Sequence, residues 1–527
     1  MVPASRKGAA AIAIATGKQR ASGGEKILSL EALAAKLEQE REQGKKVVLC
    51  HGVFDLLHPG HIRHLVEAKA MGDVLVVTLT PDEYVNKGPH RPAFTQDLRA
   101  EVMAALDAVD YVAINRWPSA VETLAMLRPH VYAKGPDYRE AAKDVTGGIT
   151  QEEQAVRAVG GELRITDDLT FSSSGLINRY FPVYPAEVED YLNGFRAKYS
   201  AAFIQECLER LKTLRVLVVG ETILDEYVYC DVLGKSSKEP VLALQYLSRE
   251  THAGGVLAIA NHLAEFAGHV DMLTYLGSAD PREDFVRASL KPNVTPHFVY
   301  KAGSPTIVKR RYVDDKVHKL IEIYEMDDSL LAGANEDVFC AELKAQLADH
   351  DVAVVADFGH GLITNRGVDI LSGAPTFLAV NTQINAANRG FHTISKYSRA
   401  DYISLHEGEI RLDKRSREAD LNELMPALSE QLGCGLVMVT RGKLGLRLYQ
   451  RRQGFVDAPA LAVKVVDVLG AGDAVFSVTS LCAATGMPPD VIGFLGNLAG
   501  AQAVNIVGNS SSADRVLLIK TVESLLR

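Results

Sequence analysis

The sequence predicts an α/β protein with two doubly wound parallel-sheet domains in series, the second with a small β lid. Three observations predict it. Short apolar runs alternate with stretches of helical periodicity in two blocks, residues 25–184 and 215–527, the pattern of parallel strands joined by crossover helices. Each block carries a glycine-bearing turn at a strand–helix junction, at 51–61 in the first and 467–473 in the second. A chain of 527 residues is also too long for a single core,.

The bulk composition narrows the class. An apolar fraction of 47% and a charged fraction of 23% are those of a globular protein,. A formal net charge of -9 disfavours non-specific nucleic-acid binding,. The 6 cysteines are scattered with no C-x-x-C pair, which fits reduced thiols in a cytosol and argues against a zinc or disulfide framework. No apolar run is long enough to span a bilayer. Residues 1–24 are rich in Ala, Gly, Lys and Arg, without acids. Because Gly17, Gly23 and Gly24 interrupt any amphipathic helix, we read a disordered tail over a targeting peptide,.

In the first block Leu28, Leu30, Leu33 and Leu37 predict an amphipathic helix over 28–43,. Strands follow at 47–50, 74–79, 109–114 and 131–134, alternating with helices at about 61–69, 96–106 and 120–127. Residues 185–214 carry no strand signal. Val188, Tyr191, Leu192, Phe195, Tyr199, Phe203, Leu208 and Leu211 recur at near-helical spacing, so a helical connector is expected,. Its apolar periodicity also raises the expectation of a homodimer. The second block has strands at 216–219, 270–275, 352–356, 377–380, 402–405 and 436–440. A short strand-and-turn layer at 227–247 and further strands at 306–324 are candidates for the lid.

The first junction reads His51-Gly52-Val53-Phe54-Asp55-Leu56-Leu57-His58-Pro59-Gly60-His61. A strand entering H-x-G-H puts two imidazoles near a helix N-terminus, where backbone N–H groups and the dipole favour anions. Such a site can hold a triphosphate and stabilise charge as its α-phosphorus is attacked, with no protein nucleophile. Gly60 permits close approach of backbone to phosphate. The other reading, two surface histidines at a helix start, leaves four further segments unexplained. These are Lys87 to Pro92, Arg99, Lys134-Gly135-Pro136-Asp137-Tyr138, and Thr170-Phe171-Ser172-Ser173-Ser174.

This ensemble, over about residues 45–182, resembles the cytidylyltransferase-like nucleotidyltransferases. It is most similar to the adenylyltransferase domain of the bifunctional heptose-phosphate kinase/adenylyltransferases of lipopolysaccharide synthesis. The resemblance implies that His58 and His61 contact the triphosphate and that Lys87 reaches the phosphates. It implies that Phe54 and Asp55 line the nucleotide pocket and that Lys134, Gly135 and Asp137 shape the substrate and nucleotide site. Ser172, Ser173 and Ser174 match a Ser-Thr-Thr at a helix start beside phosphate. His51 departs from the family's usual Asn, and residues 139–156 look longer than the equivalent loop. The acceptor sugar can therefore differ from heptose.

The second junction, Asp467-Val468-Leu469-Gly470-Ala471-Gly472-Asp473, offers consecutive backbone N–H groups at a helix start, an anion hole for a migrating phosphoryl group,. The Asp that follows can take the proton of an attacking hydroxyl. Alone, the turn also reads as a tight loop with a capping Asp. Over about 215–525 the surroundings resemble the ribokinase-like PfkB sugar kinases, in Gly220 with Asp225, Ala253-Gly254-Gly255, Asp357 to Gly361, and Thr440-Arg441-Gly442 with Gly445. The resemblance implies Asp473 as catalytic base and Gly470, Ala471 and Gly472 as the anion hole. It places Asp225, Gly254 and Gly255 on the sugar, Thr440 and Gly442 near the nucleotide, and Glu409 at magnesium. Five positions depart from the family: Glu221 and Asn381 replace Asp, Ala258 and His406 replace Asn, and Leu469 replaces Ser or Thr.

Outside these motifs, His64 reads as a helix-surface residue and Trp117 as packing. Arg310 and Arg311 read either as phosphate contacts or as an exposed basic pair in a strand. The combined resemblance implies a cytoplasmic bifunctional enzyme of nucleotide-sugar synthesis, with the domain order reversed from the heptose enzymes. ATP would be the phosphoryl donor with Mg²⁺, and ATP or CTP the nucleotidyl donor. The expected partners are sugar phosphates and nucleoside triphosphates, with no nucleic acid and no membrane. Two alternatives stand beside it: a nucleotidyltransferase for an alditol or glycerol phosphate with a decayed kinase, and a non-catalytic sugar- or nucleotide-sensing scaffold.

Overall fold

The computed structural model describes residues 26–85, 92–135, 148–166, 184–236, 238–314, 317–385 and 388–526. The chain forms two compact units, Met1–Ile177 and Asn178–Arg527. Lys87, Asp137, Ser172, Ser173 and Ser174 lie outside the described residues.

The first unit runs α1 (Leu30–Glu42), β1 (Val47–Gly52), α2 (Pro59–Lys69), β2 (Val74–Leu79), α3 (Gln96–Ala104), β3 (Tyr111–Ile114), α4 (Val121–Leu127), β4 (Val131–Lys134), α5 (Gly148–Ala158), β5 (Glu162–Ile165). All strand pairs are parallel, in the order β3-β2-β1-β4-β5. Successive strand side chains face opposite sides of the sheet. Val48, Cys50, Leu75 and Val77 therefore pack with Leu65 of α2 and Met103 of α3. Val47, Leu49, Val74 and Val76 pack with Leu33 of α1, Leu124 of α4 and Val156 of α5. Burial on both faces explains why β1 and β2 read as continuous apolar runs. The α5 and β5 elements have no counterpart in the sequence expectation. β5 alternates exposed and half-buried residues at the sheet edge, so its apolar signal is weak.

The sheet's connection reverses direction between β1 and β4, the point where open α/β sheets leave a crevice at their carboxyl ends. Arg99 fixes the loop that follows β1 there. Its fully buried guanidinium donates to the carbonyls of Val53 (2.6 Å), Thr80 (2.9 Å) and Phe94 (3.0 Å) and pairs with Asp82 (2.6 Å).

The second unit opens with two helices, α6 (Ala186–Lys198) and α7 (Ala201–Arg210). Val188, Leu192, Phe195, Ile204, Cys207 and Leu208 belong to the same core as the second sheet, and Phe195 stacks on Phe494 at 4.3 Å. Much of the periodicity that suggested a dimer surface is thus buried within the unit, while Tyr191 and Tyr199 are half-buried and Phe203 is exposed. There follow β6 (Arg215–Gly220), β7 (Thr222–Lys235), β8 (Leu242–Gly255), α8 (Val256–Ala264), β9 (His269–Gly277), α9 (Glu283–Ala288) and β10 (Val294–Lys301). Next come β11 (Ile307–Val313), β12 (Lys319–Glu325), α10 (Ala334–Asp349), β13 (Val352–Asp357), α11 (Asn365–Gly373), β14 (Phe377–Thr382), β15 (Tyr402–His406) and α12 (Glu407–Asp413). The chain ends α13 (Leu421–Gln431), β16 (Leu436–Thr440), β17 (Leu446–Gln450), β18 (Gly454–Ala458), α14 (Ala471–Ala484), α15 (Pro489–Ala503), α16 (Arg515–Leu525).

The main sheet has the order β10-β9-β6-β13-β14-β15-β16-β17-β18, parallel through β16. A separate sheet, β12-β11-β7-β8, forms the lid layer. Where a short strand and turn were expected at 227–247, the chain forms two 14-residue strands. Register shifts at Tyr229/Cys230 and Val232/Gly234, together with exposed side chains on β8, break the alternation that would have announced them.

The lone Trp117 lies in the first unit, so its fluorescence reports unfolding there. Arg99→Ala strands three carbonyls around a void, and we expect it to destabilise that transition by about 3 kcal/mol. Urea titration followed at the Trp117 emission checks this. An unchanged midpoint would show the guanidinium to be dispensable.

Candidate functional sites

In the first unit, Phe54 turns the chain out of β1 in the left-handed region, at φ 47°. Gly52 leaves room for the Phe54 ring, which a side chain there would press at 3.1 Å. His58 occupies the N-cap of α2, and Pro59 follows at the first helical position, where its missing N–H costs nothing. The His58 and His61 rings stack at 4.0 Å, and Phe54 meets His61 edge-on at 5.5 Å. Phe54, His58 and His61 thus gather at the N-terminus of α2, with Gly60 in its first turn, beside the end of β4 that carries Lys134 and Gly135.

Three residues have protein partners that the sequence did not announce. Asp55 accepts N–H bonds from Ala93 (2.8 Å) and Phe94 (3.0 Å), tying that loop to the H-x-G-H turn. The buried Lys134 pairs with Glu152 at 2.9 Å. Glu152 also accepts from the Tyr132 hydroxyl at 2.9 Å. Burial works against ionisation of Glu152, yet Lys134 holds its carboxyl below the usual range. His64, expected at the surface, is half-buried and reaches Thr166 at 2.9 Å, bracing α2 against the end of β5. His51, at the family's usual Asn position, contacts Thr78 (3.0 Å) and Thr80 (3.3 Å) on and just after β2. Burial, then Lys134, pushes its pKa down to about 4, so the ring is neutral.

In the second unit, Gly470 is the N-cap of α14 with φ 78°, and the space beside its Cα is filled by the Asn509 side chain. Ala471, Gly472 and Asp473 are the first three helical residues, so their N–H groups have no partner inside the helix,. Burial, then the negative charge of Asp225, raises the Asp473 pKa to about 7, against the pull of Lys309. Asp467 fixes the turn. It accepts from Leu469 N–H (3.1 Å), Gly508 N–H (3.0 Å) and the Tyr227 hydroxyl (3.0 Å).

Asp225, on β7, is buried and ion-paired with Arg311 of β11. Gly254 is bare because a side chain there would strike the Asp225 carboxylate, and Gly255 takes φ 57° against the Glu221 carbonyl. The two arginines are not an exposed basic pair. Arg311 is 5% exposed and also binds Glu322 at 3.1 Å, while Arg310 pairs with Glu226 at 2.6 Å. Both guanidiniums are paired with carboxylates.

Sequence reasoning missed Lys309. It lies opposite Asp225 in the β7–β11 register and is 6% exposed. Its signal was available: of three consecutive cations in a strand, the first and third share a face. Burial lowers its pKa, and Asp225 opposes that.

Two departures from the family keep a clear function. Glu221 is fully buried and accepts N–H bonds from Phe358 (3.0 Å), His360 (3.0 Å) and Leu362 (3.3 Å), so it shapes the turn after β13. His406 caps α12, its Nδ1 accepting from Gly408 N–H at 3.0 Å, as an Asn oxygen would,. Glu409 closes that capping box, accepting from His406 N–H (2.7 Å) and Ile384 N–H (3.1 Å). Burial pushes its pKa up to about 7. Thr440 pairs with His406 across β15–β16. Gly442 has φ 55° and Gly445 φ 82° in the turn that follows.

Among the described residues no cluster of three or more His, Cys, Asp or Glu is arranged to hold a metal. A magnesium ion that arrives with a nucleotide keeps several waters and needs one or two carboxylates. Glu409 fits that role through water, since each of its oxygens retains a lone pair.

Residues 49–179 match the Cytidylyltransferase-like family profile. Among curated relatives, the chain is 30% identical over 299 residues to the Bifunctional protein HldE of Koribacter versatilis, covering 56% of this chain and 60% of that one. It is 40% identical over 167 residues to the protein of that name from Azotobacter vinelandii, covering 31% and 33%. The chain therefore spans less than two thirds of the length of these relatives. The ribokinase structure from Giardia lamblia aligns with 58% of this chain and 97% of its own, at 16% identity and a TM-score of 0.48. The pfkB family carbohydrate kinase profile matches residues 213–515. That is more than half of the chain and takes in Asp225, the two glycines of β8 and the Gly470–Asp473 turn, and the chain belongs to the pfkB family of carbohydrate kinases.

Proposed function

We propose that the protein is a bifunctional enzyme of nucleotide-sugar synthesis, acting in the cytoplasm. The second unit transfers the γ-phosphoryl group of ATP, with Mg²⁺, to the anomeric hydroxyl of a sugar or sugar phosphate of the heptose 7-phosphate kind. The first unit joins the resulting sugar 1-phosphate to a nucleotide, giving an NDP-sugar of the ADP-heptose kind and pyrophosphate. The observation that carries this reading is the carboxylate of Asp473. It stands at the third position of a helix whose first N–H groups are unpaired, with its pKa raised to about 7.

In the kinase step Asp473 takes the proton of the anomeric hydroxyl as its oxygen attacks the γ-phosphorus, and ADP leaves. The N–H groups of Ala471 and Gly472 stabilise the migrating phosphoryl group. Asp225 and the bare backbone of Gly254 and Gly255 border the sugar. Thr440 and Gly442 lie on the nucleotide side, with Glu409 at the hydrated magnesium. In the second step an oxygen of the sugar 1-phosphate attacks the α-phosphorus of ATP or CTP, and pyrophosphate leaves. His58, His61 and the α2 N-terminus neutralise the charge that builds on the triphosphate. Phe54 and Gly135 border the nucleotide. Lys87, Asp137 and Ser172 to Ser174 complete the site by the family resemblance.

Mass spectrometry of products formed with Mg²⁺, the four NTPs and a panel of sugars, sugar 7-phosphates and sugar 1-phosphates tests the whole. An NDP-sugar from a non-anomeric precursor is expected. Product from sugar 1-phosphates alone would overturn the kinase step.

Removing either reacting group should separate the steps. Asp473→Asn should lower the kinase kcat by roughly a hundred- to ten-thousandfold and spare pyrophosphate release from sugar 1-phosphate. His61→Ala should do the reverse, lowering nucleotidyl transfer roughly a hundredfold or more.

The pH dependence follows from the raised pKa. The base works ionised, so kinase kcat/KM should rise with pH through about 7 and then level off,. In the unfolded chain the same group ionises at an ordinary carboxylate pKa. Folding stability therefore falls as pH rises from that value to about 7,. Asp473→Asn should accordingly raise the melting temperature at pH 8 while abolishing phosphorylation. A lower melting temperature would mark Asp473 as structural.

A further inference from the structure

A cavity of about 230 Å³ opens beside the sugar-binding strand, between β8, the first turns of α8, α9 and the loop 509–512. It adjoins the phosphoryl site through Asn509. That side chain donates to Asp225 at 3.3 Å, packs against Gly470, and lines the cavity.

Two features define what the cavity can hold. At its inner end stands Ala258, 4% exposed, where the family carries the Asn that follows the glycine pair. The shorter side chain gives length to the space. The wall is uncharged: among the described residues that line it there is no Asp, Glu, Lys or Arg. Hydroxyl and amide groups supply its polarity, from Thr251, Asn261, Ser510, Ser511 and Ser512. Asn261 is spoken for, bonding Ser289 O (2.8 Å) and Lys291 N–H (3.0 Å). The nearest flanking cation, Lys291, is paired with Glu265 at 2.5 Å, and Ser512 also bonds Glu265 at 3.2 Å. His262 is neutral: burial, then Lys291, brings its pKa down to about 4, and its Nδ1 accepts from Ala513 N–H at 2.8 Å. The remaining imidazole, His252, has a buried Nε2 with no hydrogen bond and lies 3.5 Å from Glu250.

We propose that this cavity is the subsite for the far end of the sugar, and that it takes an uncharged polyhydroxylated chain rather than a phosphate ester. A phosphate carries about two negative charges and needs paired cations or free N–H groups when it leaves water. Besides the N–H groups at the start of α8, this wall offers hydroxyls and amides and, among the described lining residues, no Lys or Arg,. That suits the alternating donors and acceptors of a polyol better than a phosphate dianion. The inference rests on the kinase reading above and narrows it: of sugar and sugar phosphate, it selects the unphosphorylated sugar, with a chain longer than a pentose.

The test uses the full-length protein with ATP and Mg²⁺, and follows ADP release with a pentose, an unphosphorylated aldoheptose and that heptose's 7-phosphate. The heptose should give a kcat/KM at least tenfold above that of its 7-phosphate. Ala258→Leu, which fills the inner end, should raise KM for the heptose at least ten times more than for the pentose. Ser511→Leu, at an exposed loop position, should act in the same direction and serves if the first variant does not fold. A preference for the 7-phosphate, or equal KM effects on the two sugars, overturns the subsite and leaves the kinase reading standing. No ADP release with any sugar overturns the kinase reading. Calorimetric titration with the same three sugars then decides the subsite: heptose binding weakened by either variant supports it, and no heptose binding overturns it.

Discussion

The ion pair between Arg311 and Asp225 joins two strands of the lid sheet directly at the phosphoryl-transfer site. Burying an isolated carboxylate is costly, and the guanidinium offsets that cost. With Asp225 held in place, the groups around it follow. Gly254 must lack a side chain because the carboxylate occupies that space. Lys309, opposite in the register, sits in the field of the same charge. The carboxyl of Asp473, desolvated and facing a second negative charge, rises to a pKa of about 7. A carboxylate tuned to near-neutral pH can both take a proton and release it again. The pKa of Asp473 is thus set first by its burial and then by the charge of Asp225.

The two units solve one physical problem with different residues. Each sheet leaves a crevice where its strand order reverses, and each places a helix start beside it,. In the second unit the helix start is bare backbone with one carboxylate in its first turn, the proposed anion hole and base. In the first unit two stacked imidazoles stand at the helix start. The difference follows from the chemistry. An anomeric hydroxyl must lose a proton to attack, whereas a phosphate monoester is already an anion and needs only its repulsion from the triphosphate reduced.

Much of this was legible in the sequence, for identifiable reasons. Strands covered on both faces read as unbroken apolar runs, so β1, β2, β6 and β13 could be placed to within a residue or two. The glycine-bearing junctions were legible because close approach to phosphate restricts residue type. The lid was legible as a layer, but the length of β7 and β8 was not, since they carry register shifts and exposed apolar side chains that erase the two-residue period. Nor were the commitments of long polar side chains. Lys134, Asp55, Arg310 and Arg311 look like ligand contacts in a linear motif, and each is bound to a protein partner that does not adjoin it in sequence. Sequence spacing carries no record of such pairings. Asp467 escaped for the same reason, being a polar residue whose importance lies in what the fold brings to it.

The departures from the kinase pattern bear on whether the site has decayed. Drift without selection removes bonds and leaves buried polar groups orphaned. Here the altered residues rebuild what the usual ones supply. Glu221, one methylene longer than Asp, binds three N–H groups of the turn after β13. His406 caps its helix through Nδ1, and Glu409 completes the box in return. Leu469, in place of Ser or Thr, is one exception; another is Ala258, since an alanine can rebuild no hydrogen bond. Its loss is local, on the sugar side, and it borders a cavity whose other walls carry intact polar groups. Changes that keep Gly470 to Asp473 and shorten a side chain on the sugar side favour the proposed kinase with an altered substrate over a decayed one. A scaffold freed from turnover would have no reason to keep Asp473 desolvated beside Asp225, because that arrangement lowers stability at neutral pH,.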